Sequence, residues 1–219
     1  MPFTQSEFFE VFAEYNAAVW PMQFVLLGLA IITIGLVLTR PIASRRTVPA
    51  ILAFLWAWMA IAYHFMQFAA INPAATAFAV MYLIEAALLL WAGTIAGRVR
   101  FGPTPMGRQL VGWLLIIYGL LIYPIIGRLA GHVYMASPTF GVPCPTTIFT
   151  VGILFFSSRF PKYLLVIPII WAAIGTSAAV NLGVPQDFGL AVAGIAAFAL
   201  VFLRQQEERA TPPPPSPRP

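Results

Sequence analysis

Seven runs of apolar residues fill almost the whole of this chain, each parted from the next by a few polar residues. They lie at about 18–39, 48–69, 74–96, 109–127, 146–158, 162–182 and 187–204. Most approach the roughly 20 residues that a helix needs to cross the ~30 Å hydrocarbon core. A soluble domain carries roughly 25% charged residues, whereas this chain has 9%, with 60% hydrophobic. One water-soluble core cannot bury so much apolar surface, so a lipid bilayer is the expected solvent and partner. The predicted fold is all-α: a polytopic membrane bundle of about seven transmembrane helices.

Charge placement orients that bundle. Arg40, Arg45 and Arg46 follow the first run, and Arg98, Arg100 and Arg108 the third. Arg159 and Lys162 follow the fifth, and Arg204, Arg209 and Arg218 the seventh. Arg128 alone stands on the other side. Lysine and arginine gather in cytoplasmic loops, so the N-terminus is expected outside and the C-terminus in the cytoplasm, in a bacterial inner membrane. The net charge of +5 is thereby read as topology, and nucleic acid is not an expected partner. No basic residue opens the chain, so no cleaved signal peptide is expected. Cys144 is the single cysteine, which permits no intrachain disulfide.

Residues 1–17 read as an outer-surface amphipathic segment. Thr4 and Glu7 match a T-x-x-E capping box. Phe8, Phe12 and Tyr15 share one face, and Glu7, Glu10 and Glu14 another. A straight extension of the first span reads equally well. Residues 18–204 form the membrane domain, and 205–219, "QQEERATPPPPSPRP", a disordered proline-rich cytoplasmic tail. Pro124 and Pro168 are expected to kink their helices. About 13 residues separate Pro145 from Arg159, which at 1.5 Å per residue is about 20 Å, too short to cross. That helix either begins below the outer surface or follows a segment that dips into the membrane. "WMAIAYHFMQFAAINPAATAF" and "WAAIGTSAAVNLGVPQDFGL" share a Trp, an Ala-rich stretch, an Asn and a Pro. They suggest a parallel repeat of three helices, a linker helix and three more.

Glu85 is the sharpest single feature, near the middle of the third run. A charge at that depth costs about 2.5–3.5 kcal/mol on insertion scales, so it marks a proton or cation site, or else a hydrogen-bonded structural carboxyl. Tyr82 is one turn away on the same face, and Tyr118 falls at similar depth on the next span. His64 lies near the outer end of the second run. With Gln67, Asn72, Thr176, Ser177 and Asn181 it makes the outer half more polar than the inner, although small polar residues also serve simply to pack membrane helices. The stretch "GHVYMASPTFGVPCPTTIFT", residues 131–150, adds His132, Cys144, Thr146 and Thr147. Pro143-Cys144-Pro145 is expected to stay extended, with Thr146 capping the helix that follows. His64, His132 and Cys144 form a weak alternative metal set that matches no closed zinc spacing. No cofactor is expected, and phosphate-loop, G-x-S-x-G and H-E-x-x-H motifs are absent.

"FFEVFAEYNAAVWP", "YHFMQFAAINPAA", "PTFGVPCPTTIFTVG" and "LLVIPIIWAAIGTSAA" together resemble a family of uncharacterised bacterial multi-pass membrane proteins, a domain of unknown function. The resemblance spans nearly the whole chain except the proline tail. It implies an integral membrane protein and carries over no activity and no catalytic residue. In helix number the chain is also similar to seven-helix hydrolases of the alkaline ceramidase type, but those hold zinc with several histidines and this sequence has only His64 and His132.

The favoured function is a transporter or channel for a small solute or ion, with a cavity open to the outer face. Its candidate residues are Glu85, His64, Tyr82, Tyr118, Asn72, Asn181, His132, Cys144, Thr146 and Thr147. One alternative is a membrane-embedded enzyme or metal-handling protein using the histidines and the cysteine. Another is a structural or assembly partner whose polar residues only join helices. The oligomeric state stays open. The end of the 131–150 stretch reads as the mouth or lid of the cavity. A membrane-impermeant thiol reagent is therefore expected to label Cys144 rapidly in intact cells, and labelling only after denaturation would mark a buried structural thiol.

Overall fold

A computed structural model describes residues 2–40, 42–132 and 134–210, with side chains to Leu203. It is 78% helical. The helices are α1 (Gln5–Ala18), α2 (Met22–Thr39), α3 (Ser44–Ala70), α4 (Ala75–Ile95), α5 (Met106–Leu129), α6 (Pro143–Phe155), α7 (Lys162–Leu182) and α8 (Phe188–Ala210). Six of these, from α2 to α8 without α6, are long and apolar enough to cross a membrane, α8 together with the turn Pro185–Asp187 before it. A short antiparallel pair, β1 (Arg100–Phe101) and β2 (Ser157–Arg159), ties the loop after α4 to the loop after α6.

The outer helices follow from a single buried stripe. In α2 only Leu26, Ala30, Thr33 and Val37 are buried, a spacing that keeps one face inward. Phe24, Ile31, Ile32 and Leu38 of the same helix are exposed. Exposed large apolar side chains recur on α4 (Val80, Ile84), α7 (Ile170, Val180) and α8 (Val192, Ile195). Large exposed apolar patches of this kind mark surfaces that meet a partner or a membrane, and they lie on helices long and apolar enough to cross one.

α6 is the exception. Every residue from Pro145 to Phe155 is buried, and the helix packs against α3, α5, α7 and α8. Its length, about 20 Å at 1.5 Å per residue, fits inside the bundle because the longer helices cover its sides. Close approach depends on glycines: a Cβ on Gly152 would stand 3.0 Å from the carbonyl oxygen of Gly112 on α5. Small residues at a crossing let backbones approach this way.

The two ends of the bundle differ. At one end Thr94 donates to the Arg46 carbonyl and β1 pairs with β2, which gathers the loops bearing Arg45, Arg46, Arg98, Arg100 and Arg159. At the other end α1 lies across the loop before α6 and the C-terminus of α7. Residues 19–21 separate α1 from α2, so α1 is its own element and not an extension of the first span.

Several local expectations are corrected. Pro143, Cys144 and Pro145 are not extended; they form the first turn of α6, and the extended residue is Val142. The steric rule acts on the residue before the first proline, while prolines in a first turn give up donors the helix does not use. Thr146 is therefore not the cap: it lies inside the helix and accepts from the Gly141 N–H at 3.2 Å. Pro168 is the third residue of the α-helical part of α7, Val166–Leu182, where it displaces no internal bond. Pro124 follows a π-helical segment, Tyr118–Ile122, and is carried within α5. α8 runs to Ala210, six residues into the segment expected to be a disordered tail, and residues 211–219 lie outside the described residues.

The packing yields a paired test. Gly152→Ala is expected to cost about 1–3 kcal/mol by overpacking and to lower the melting temperature in detergent. Gly28→Ala, whose Cβ would meet nothing within 4 Å, is expected to leave it unchanged or raise it, since alanine is the better helix former.

Candidate functional site

The site lies under α1. Thr4 caps this helix: its side chain accepts from the Glu7 N–H, and Glu7 Oε2 accepts from the Thr4 N–H at 2.7 Å and the Thr4 hydroxyl at 2.8 Å. Those two hydrogen bonds hold the Glu7 carboxyl below its ordinary 4.5. Phe8, Val11, Phe12, Tyr15 and Asn16 face inward, and Glu7, Glu10 and Glu14 face out. Asn16 donates to the Met135 and Ser137 carbonyls at 2.8 and 3.0 Å, and Tyr15 to the Gly141 carbonyl at 3.0 Å. Trp58 Nε1 on α3 donates to the Tyr15 hydroxyl at 2.8 Å. Burial pushes that hydroxyl up to about 12. Gln5 reaches the Leu182 carbonyl at 2.6 Å. α1 is thus strapped to α3, to α7 and to the loop before α6.

Beneath this strap is a cavity of about 570 Å³, within the usual size of small-molecule sites, roughly 300–1,000 Å³. Its walls are aromatic and aliphatic: Phe3, Phe8 and Phe12 from the α1 side, Tyr63 and Phe68 from α3, Phe78 from α4, Trp171, Ile174 and Leu182 from α7. Asn72 joins them, its Oδ1 accepting from the Ala74 N–H. On the inner side Cys144, on the first turn of α6, and Asp187, at the turn before α8, meet. The Asp187 carboxylate accepts from the Tyr123 hydroxyl at 2.5 Å and faces the Cys144 thiol. No lysine or arginine is among the lining residues.

One layer behind the aromatic wall lies a second group of buried polar side chains. His64 is fully buried among rings: Tyr82 at 4.7 Å, Trp171 at 5.1 Å, Tyr63 at 5.3 Å and Phe78 at 5.8 Å between centroids. Tyr82 shares a hydrogen bond with Thr147 at 3.2 Å. Next to it Trp56 donates to Thr150 at 3.1 Å. Glu85, one turn along α4 from Tyr82, is fully buried. Neither of its oxygens, and neither nitrogen of His64, has a hydrogen-bond partner among the described residues. Buried polar groups are normally paired, so these two are exceptions that ask for a cause. Both adjoin irregular backbone: His64 stands inside a π-helical segment, Met59–Phe65, and Glu85 precedes another, Leu89–Ile95. Such segments are rare and gather at functional sites.

The candidates read from the sequence therefore scatter. Cys144 and Asn72 line the cavity. His64, Tyr82, Thr147 and Glu85 lie behind its wall. Thr146 turns back to the Gly141 amide. Tyr118 is not a partner of Glu85: its hydroxyl donates to the Gln186 carbonyl at 2.8 Å. Asn181 is exposed and bonds the Ser177 carbonyl. His132 stacks on Phe9 at 3.9 Å and lines a different, shallow pocket with Arg128 and Tyr134; its partial burial lowers its pKa. His64, His132 and Cys144 are not brought together, and no three metal-binding side chains cluster among the described residues. Of the 131–150 stretch, Val142, Pro143 and Cys144 line the cavity, with Cys144 half-buried.

Asp187 and Tyr123 were not found by sequence reasoning. Asp187 and Glu85 are both acids in apolar runs, but Glu85 stands in the middle of its run, whereas Asp187 opens the run 187–204, where an acid can meet water and so carries no signal. The aromatic walls carried no signal, because isolated phenylalanines in apolar runs read as lipid-facing or core.

The strap sets two expectations. Tyr15→Phe leaves the Trp58 N–H and the Gly141 carbonyl without their partner, at about 1–3 kcal/mol, and is expected to lower the melting temperature and speed hydrogen exchange in residues 134–142. The Glu7 carboxylate contributes stability above pH 4.5, its unfolded value, and that contribution is lost as the pH falls through the lower folded value. Acidification is thus expected to loosen the first turn of α1, read as faster exchange of its first amides, and Glu7→Gln removes this pH dependence.

Residues 5–211 match the profile of a family described as a family of unknown function (DUF6064). No curated protein and no solved structure matches the chain.

Proposed function

The chain belongs to the DUF6064 family of unknown function, and we propose that it is a multi-pass membrane protein that binds a small solute and carries it across the bilayer. The observation that carries this reading is the cavity of about 570 Å³ that ends on Asp187, a buried acid at the turn before α8. A merely structural bundle gains nothing from such a void, because its lining forgoes packing contacts. Membrane proteins keep ionisable groups at depth where substrates, ions or protons pass.

The positive-inside rule places the arginine-bearing loops in the cytoplasm and α1 outside. The cavity then opens on the outer half of a bacterial inner membrane. Glu85, about 15 Å from either end of its helix at 1.5 Å per residue, has no hydrogen-bond partner among the described residues and serves as the group that takes and releases a proton or cation. His64 and Tyr82 stand between it and the cavity wall. The π-helical segments supply the looser backbone that lets these walls move.

Flux into proteoliposomes, measured for a panel of amino acids, sugars and organic ammonium ions, tests the reading. Wild-type protein is expected to move at least one class faster than protein-free vesicles, and Glu85→Gln to cut that rate tenfold or more. Equal flux in the mutant would remove Glu85 from the mechanism, and no flux of any class would remove transport.

A further inference from the structure

We infer that the cavity takes a lipophilic organic cation, an ammonium or related onium group on an apolar body, admitted sideways from the bilayer between α4 and α7. The inference names the ligand class of the cavity and so rests on the reading of that cavity as a solute-binding site.

Charge comes first. Among the described residues Asp187 is the one acid lining the cavity, and no basic side chain lines it. Its partners donate to it without neutralising it: Tyr123 by a hydroxyl, with the Cys144 thiol beside it. A carboxylate has about four acceptor sites, so capacity remains for a ligand donor or cation. Asp187 itself is 3% exposed, and the cavity is what it is exposed to. A positive ligand group supplies the counter-charge that the protein does not. The other polar lining groups, among them Asn72, Ser177 and the Trp171 N–H, are neutral, so an anion finds the Asp187 carboxylate and no counter-charge, and a sugar finds few donors and acceptors on walls this apolar.

The walls select the rest of the ligand. Phe8, Phe12, Tyr63, Phe68, Phe78 and Trp171 present rings to the space, and ring faces attract cations within about 6 Å. Apolar walls of this extent take an apolar body, which sites of this size bury almost completely.

The route follows from where the cavity reaches the surface. α4 and α7 touch through Phe78 and Tyr82 against Trp171, at 5.4 and 5.1 Å between centroids. Beside that contact, Ala173 and Ser177 of α7 both line the cavity and are exposed, so the space reaches the surface along this face of α7. The flanking side chains Val80, Ile170 and Val180 belong to the lipid-facing belt. The gap therefore opens between lipid-facing surfaces, where a water-soluble solute is scarce and an amphiphile partitions.

Equilibrium binding of tritiated tetraphenylphosphonium to purified protein in detergent tests the inference. Saturable binding is expected, displaced by other lipophilic cations and not by tetraphenylborate, the anion of the same shape. Asp187→Asn, whose amide oxygen still accepts from Tyr123, is expected to weaken binding at least tenfold with the melting temperature preserved. Ser177→Trp, at an exposed position on the rim, is expected to weaken it by blocking the gap, and decides the matter should the first variant fail to fold. Absence of wild-type binding overturns the inference. Unchanged affinity in Asp187→Asn, or equal binding of tetraphenylborate, does so too and would mark an apolar void for acyl chains. Binding without flux would sustain this inference and overturn transport, whereas flux of a sugar or amino acid with no onium binding would do the reverse.

Discussion

The enclosure of α6 is the constraint on which the rest of the structure depends. This helix is too short to cross a bilayer, and in lipid its ends would expose backbone groups that nothing satisfies. It is tolerated because α3, α5, α7 and α8 surround it, with Gly112 and Gly152 bringing two backbones into contact. Once α6 is central, its first turn lies below the outer end of the bundle, and something must cover it. The loop before it and α1 provide that cover, held by Tyr15 and Asn16.

Covering a short helix leaves room. α4 and α7 touch at Phe78, Tyr82 and Trp171, and α7 continues about three turns beyond Trp171 to Leu182. The cavity occupies that space, with Cys144 on the first turn of α6 and Asp187 on the turn into α8. Cavity and short helix are thus two results of one length mismatch. The polar groups fall into two layers: an outer one at the cavity, where Asp187 is hydrogen-bonded by Tyr123, and an inner one around Tyr82, where Glu85 and His64 have no partners. Trp171 separates them, in contact with both His64 and Tyr82. Movement of that ring would join the layers.

Sequence reasoning worked where one physical rule acts on many residues at once. Helix-forming apolar runs, the capping box at Thr4 and the two faces of α1 depend only on local spacing, and all are present. The shortness of α6 was legible for the same reason. Reading failed where the answer depends on which side chain meets which. Tyr118 and Glu85 share a depth but not a neighbour, because depth along a helix fixes height and not azimuth. Asn181 lies at the right height and faces outward. His132 and Cys144 belong to one polar stretch and part company, since the chain turns between them. Asp187 was overlooked because a turn position is where an acid ordinarily needs no explanation.

By itself the sequence determined an all-α chain with apolar helices of membrane-crossing length, its basic residues gathered between alternate helices, and a capped amphipathic segment at its start. Those properties are sums over many residues of transfer free energy, hydrogen-bond periodicity and charge, and one substitution barely alters them. Only the tertiary structure decided that the short helix is the centre of the bundle, that α1 closes over it and that Asp187, not Glu85, faces the open space. These outcomes hinge on single contacts, a glycine against a carbonyl or a tyrosine against a carboxylate, between residues far apart in the chain, and linear spacing holds no record of which distant residues will meet.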